Sequence, residues 1–95
     1  MKFGAFLLLH SPDKKSSEEV YANAIAQAEL ADPLGFDAVW LAEHHFSSYG
    51  YSPNPLYLAV KIAERTKKVR IGTAVVVLPL HHPLRLAEDI AMVDQ

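Results

Sequence analysis

One unit occurs three times along this chain: an apolar run, a polar loop and an amphipathic stretch, with a period of roughly 33 residues. The runs are Phe3–Leu9, Phe36–Ala42 and Val69–Val77. The first is almost wholly apolar, as a strand buried on both faces requires, and the third is rich in β-branched residues. Each amphipathic stretch opens on a helix-start signal. Ser16 with Glu19 fits a capping box, Asn54-Pro55 pairs an N-cap with a proline at the first helical position, and Pro83 stands at the first turn of the third helix. Val20, Ala24, Ala28 and Ala31 line one stripe of the first helix, widened by Ile25 and Leu30. Pro33 and Gly35 stop it. In the second, Leu56, Ala59, Val60 and Ala63 share a side and the helix should end near Arg65. In the third, Leu86, Ile90 and Val93 recur with helical spacing, and the pattern is still running at Gln95 with no stop signal.

Strand–helix units in series imply parallel strands joined by right-handed crossovers. Two architectures use them, an open doubly wound sheet and an eight-unit barrel. A complete (β/α)8, or TIM, barrel needs about 250 residues. The expectation is an α/β chain, residues 1–95, incomplete as given: read as a barrel it is the N-terminal three βα units of one, and the open sheet stays an alternative at this point. Three parallel strands leave two bare edges and apolar faces without cover. Missing chain or obligate association with other copies is expected.

Composition removes several function classes. Apolar residues at 51% and charged residues at 21% exclude disorder. A formal charge of −2 gives no electrostatic reason for nucleic acid or an anionic membrane as partner. With no cysteine, disulfide scaffolds, thiolate metal sites and cysteine nucleophiles are excluded. The opening MKFGAFLLLH is too short to span a bilayer and has no small-residue cleavage site, so a cytoplasmic location is the default.

All five histidines, His10, His44, His45, His81 and His82, fall in the loops that follow the strands: His10–Lys15, Glu43–Asn54 and Leu78–His82. Those loops are about a quarter of the chain, and in parallel α/β folds they form the active-site face. Glu43-His44-His45-Phe46 is the sharpest local feature. Neighbouring side chains at a strand end point to opposite sides, so one of the two histidines faces the barrel mouth. There it can act as a general acid or base near neutral pH. The plainer reading is a histidine stacked in its loop and bonded to Glu43 or backbone. No His-x-His or Glu-x-x-His spacing aims two ligands at one ion, so no metal site is expected. Gly72 inside a strand run marks a bulge or a close approach rather than a phosphate loop. The first loop, His10-Ser11-Pro12-Asp13, lacks the glycines of a dinucleotide fold. Tyr49, Tyr51 and Tyr57 can line a ring pocket or simply pack the long loop.

The segments MKFGAFLLLH, LGFDAVWLAEHHF, the Asn54-Pro55 step and TKKVRIGTAVVVLPLHHPLRLAEDIAMVDQ, with the spacings between them, carry a resemblance over essentially all 95 residues. The chain resembles the N-terminal part of the bacterial luciferase-like flavin-dependent monooxygenases. The resemblance implies a (β/α)8 barrel that uses reduced FMN and O2, via a flavin C4a-hydroperoxide, to oxidise an aldehyde or another small organic substrate. It implies a flavin reductase as the flavin source and an oligomer. One branch of the family uses F420 for hydride transfer, but Ala42-Glu43-His44-His45-Phe46 resembles the FMN branch, whereas F420 relatives tend to carry Ser-Asp-His here. By the same resemblance His44 matches the catalytic acid or base. Phe6 and Glu43 match positions near the isoalloxazine, and Ala74-Val75 matches a strand-end kink beneath the ring that is a non-proline cis peptide in relatives. His45, His81 and His82 are assigned to loop structure, His82 as a cap for the third helix. Asp32-Pro33-Leu34-Gly35 departs from the family's smooth helical end, which concerns packing rather than chemistry. The family's phosphate-binding residues would lie beyond Gln95, so these 95 residues alone are expected to be inactive. Competing readings are a non-catalytic truncated paralogue that acts as an oligomeric scaffold or weak flavin binder, an F420-dependent oxidoreductase, and a metal-dependent barrel hydrolase.

Overall fold

The computed structural model describes all 95 residues. Three strands, β1 (Gly4–Leu7), β2 (Ala38–Leu41) and β3 (Arg70–Thr73), alternate with three helices, α1 (Ser17–Ala31), α2 (Pro55–Ala63) and α3 (Pro83–Val93). A single 3-10 turn, Leu78–Leu80, precedes α3. The strands form one parallel sheet in the order β1-β2-β3. These are the three βα units expected of a (β/α)8 barrel.

The expected helix starts are present. The Ser16 hydroxyl accepts the Glu19 N–H, and the Glu19 carboxylate accepts the Ser16 N–H in return. Asn54 caps α2 by accepting the Leu56 N–H at 3.0 Å, with Pro55 in the first turn. Helix α1 stops at Ala31, and Gly35 takes φ +80° so that the chain can turn into β2. Asp32, at the C-cap of α1, does more than end a helix. Its carboxylate accepts three successive backbone N–H groups, from Lys67, Lys68 and Val69, at 2.7–3.0 Å. One side chain thus ties the first unit to the entry of β3.

Register and alternation place Leu7, Val39, Leu41 and Ile71 on the face that the helices cover. The core joins Leu7, Val39 and Leu41 to Val20, Ala24, Ala28 and Ala31 of α1 and to Leu58, Ala59 and Ile62 of α2. The opposite face carries Phe6, Trp40 and Gly72 in one row across the three strands. The Trp40 indole lies flat along that row and beyond it. A Cβ at Gly4 would lie 2.6 Å from its Nε1, and a Cβ at Gly72 would lie 2.6 Å from its Cζ3. Gly72 is therefore the close approach anticipated for it, made by a side chain.

Four sequence expectations need correction. Leu30 is exposed, so it does not widen the α1 stripe. Val60 and Ala63 face outward and the buried side of α2 is Leu56, Leu58, Ala59 and Ile62. PLYLAVKIA is apolar almost all round, so spacing alone does not choose its face. Ile90 is exposed beside the unpaired edge of β3. His82 stands at the N-cap of α3, but its side chain makes no capping bond.

Candidate active site

The sheet's C-terminal ends gather the chemistry. Backbone bonds carry the sheet one step beyond its strands, Ala42 N–H to Leu7 O and Ala74 N–H to Leu41 O. The second loop then folds back over the first. Tyr51 N–H bonds Leu9 O, Ser11 N–H bonds Ser48 O, and His44 N–H bonds Ser52 O at 2.8 Å. Leu9 and Phe46 both adopt left-handed backbone, φ 58° and 51°, where these turns reverse the chain.

His44 and His45 point apart, as alternation requires. His44 is half-buried, and its ring meets Tyr49 edge-on at 5.2 Å between centroids. Gly50 presses on it from the loop, where a Cβ would lie 2.8 Å from His44 Cβ and Cγ. Its Nδ1 is shielded from solvent and has no hydrogen-bond partner. Gly50 also covers this nitrogen, since a Cβ there would lie 3.0 Å from Nδ1.

Glu43 is spent differently. Its side chain is 0% exposed. Oε1 accepts from His45 Nε2 at 2.7 Å and His81 Nε2 at 2.9 Å, while Oε2 accepts the Val77 N–H at 2.9 Å. Burial pushes this carboxyl up, but the Val77 amide and the two imidazoles together outweigh it and hold the group below the usual glutamate value. Glu43 is thus an ionised acceptor at neutral pH, the hub of the second and third loops. His45 and His81, both assigned to loop structure, are its partners. His45 lies two residues along the same loop and makes the bond to Glu43 that the plainer reading of this tetrapeptide expected, whereas His81 comes from the third loop and nothing in its spacing said that it would converge.

The remaining expected residues lie at the same end. The Ala74–Val75 peptide is cis, as in the family resemblance. Phe6 is 55% exposed and Val75 62% exposed. His10 and His82 are exposed, and His10 reaches only the Tyr49 ring, at 6.4 Å. Tyr51 packs against the core and Tyr57 faces outward, so neither adds to this face. No group of three His, Asp or Glu side chains has the arrangement of a metal site. A flavin ring asks for flat apolar contact and a polar group near its edge. The exposed side chains of Phe6 and Val75 at this end are of the apolar kind, and the His44 ring is the nearby polar group, so the residues present are compatible with such a ring.

No helix is long and apolar enough to cross a membrane. The sequence pattern of the luciferase-like monooxygenases matches residues 1–95. The alkanal monooxygenase alpha chain of Photorhabdus laumondii is 43% identical over 95 residues, all of this chain and 26% of that relative. The oxygenase component of the flavin-dependent trigonelline monooxygenase of Acinetobacter baylyi is 36% identical over 95 residues, 99% of this chain and 26% of that relative. Among solved structures, the oxygenating constituent of the 3,6-diketocamphane monooxygenase of Pseudomonas putida, in complex with FMN, superposes with a TM-score of 0.92 at 27% identity. That match covers 98% of this chain and 26% of the other. The chain spans about a quarter of the length of the curated relatives it matches. With three parallel βα units, a flavin-compatible face at their C-terminal ends and a match along all 95 residues, the chain belongs to the luciferase-like monooxygenase family.

Proposed function

We propose that the intact protein carrying this chain is a flavin-dependent monooxygenase that uses reduced FMN and O2 to oxidise an aldehyde or another small organic molecule. When bound, the reduced flavin supplies the electrons that activate dioxygen. The chain's own residues then bind, orient and move protons. Phe6, Ala74 and Val75 contact the ring, Glu43 holds the loops around it, and His44 is the acid or base. The observation that carries this reading is the His44 imidazole, held in place at the end of β2 by Tyr49 and Gly50. The flavin dependence of the trigonelline enzyme and the FMN bound in the diketocamphane enzyme support FMN as the cofactor. The term oxygenase component in the former's name supports a separate reductase as the flavin source. Assembly with a second subunit belongs to the same reading, because the helices carry exposed apolar side chains, among them Leu30, Tyr57 and Met92.

The test supplies the intact protein with photoreduced FMN, air and a medium-chain aldehyde, then follows acid formation. Oxidation that depends on both flavin and oxygen is expected. His44→Ala should lower turnover by roughly 10²–10⁴-fold, the range of a lost acid–base group, while FMN affinity changes little. Equal loss of binding and turnover would remove His44 from that role. Turnover with F420 and not FMN would move the protein to the hydride-transfer branch.

A further inference from the structure

The Glu43 carboxylate ties the second loop to the segment after β3. Three donors converge on one buried carboxylate: the Val77 N–H and the Nε2 atoms of His45 and His81. A carboxylate only accepts, so each imidazole must present Nε2–H toward it. We propose that Glu43 is the positioning residue of this site, fixing His45 and His81 as Nε2–H tautomers and fastening the segment that follows Ala74–Val75 to the end of β2.

The geometry supports a fixed rather than casual arrangement. Oε1 is shared by both rings, and His81 also reaches Oε2 at 3.1 Å, so the rings share the carboxylate with the Val77 amide. Burial removes water as an alternative partner, which makes each of these bonds hard to exchange. Val77 lies two residues after Val75, so anchoring its amide sets where the cis segment stands relative to β2. With Nε2 committed as a donor, each neutral ring keeps Nδ1 as its free acceptor. Glu43 therefore acts through other groups: it decides which nitrogen of two imidazoles remains available and where the floor of the site lies.

The inference deepens the monooxygenase reading and rests on it only for the effect on turnover. Its test is the imidazole nitrogen spectrum of the intact protein, labelled with 15N-histidine and measured at about pH 8, where an ordinary imidazole is neutral. His45→Gln and His81→Gln assign the signals. The unmodified protein is expected to show both rings as Nε2–H. Nδ1–H at either ring overturns the proposal with no variant needed. Glu43→Gln then places an amide NH2 against either the imidazoles or the Val77 N–H. The backbone amide cannot invert its polarity but a ring can, so at least one ring is expected to switch to Nδ1–H. Turnover should fall about 10- to 100-fold, as for a small misplacement of reacting groups, with FMN affinity nearly unchanged. Unchanged tautomers in Glu43→Gln overturn the fixing role. Switched tautomers with full turnover overturn the positioning role. If the unmodified protein neither binds FMN nor oxidises substrate, the functional reading fails while the spectra still decide the tautomers.

Discussion

Glu43 and His44 are sequence neighbours with opposite fates. One is sealed from solvent with every oxygen occupied, the other keeps a ring nitrogen without a partner. The sequence showed both residues and the strand end that splays them, because alternation follows from the backbone alone. It did not show that Glu43 would also find Val77 and His81, because those stand after β3, 34 and 38 residues away. Asp32 is a second carboxylate whose role was illegible for the same reason. Bonds from Val69, Lys68 and Lys67 amides hold its carboxyl below the usual aspartate value, against a smaller opposing effect of desolvation. A carboxyl depressed in the folded state stabilises the fold at pH above its unfolded value, roughly 3.9. That contribution is lost as pH falls through the lower folded value. Asp32→Asn keeps one acceptor for three amides and opposes its NH2 to another donor. It should be less stable than the unmodified protein at neutral pH, with the gap closing in acid, as read by urea unfolding across that range. A constant gap at every pH would mean the loss is steric and the carboxylate charge is irrelevant.

At the scale of elements, periodicity did well where a helix has one apolar stripe. Val20, Ala24, Ala28 and Ala31 are buried as spaced. It failed in α2, where apolar residues surround the axis and only packing against β3 and α1 selects Leu58 and Ile62 over Val60. Strand lengths were overread, since apolar runs extend past the residues that pair: Val69–Val77 yields only Arg70–Thr73. Beyond Thr73 the chain bonds Leu41 O and then Glu43, leaving the ladder to build the site. The inner face of the sheet shows one packing device that composition hides. Trp40 spans from Gly4 on β1 to Gly72 on β3, so both glycines make room for a single indole. Gly72→Ala puts a methyl 2.6 Å from Cζ3 and 2.7 Å from Cε3 of a ring that must move as one body. A loss of about 1–3 kcal/mol is expected, the usual cost of overpacking. Trp40 is the only tryptophan, so its emission reports the displacement directly. Unaltered emission and stability would show that the ring swings clear without cost.

For the molecule as a whole, the question is what three βα units do on their own. Of 95 residues only 21 are buried, a thin core for a chain this long. The sheet has unpaired edges at β1 and β3, and its inner face leaves Trp40 43% exposed beside Phe6. Unpaired edges template further strands, and an exposed aromatic row adds an apolar surface to the same place. Residues 1–95 produced as a separate polypeptide should therefore associate, with a sedimenting mass that rises over a roughly 100-fold range of concentration and strong binding of an apolar dye. Weak or absent FMN binding should accompany this, because on the proposed reading Phe6, Ala74 and Val75 reach only the flavin ring. A monomer at every concentration, with no dye binding, would mean that the edges and inner face satisfy themselves. The argument that this sheet needs further strands would then fall.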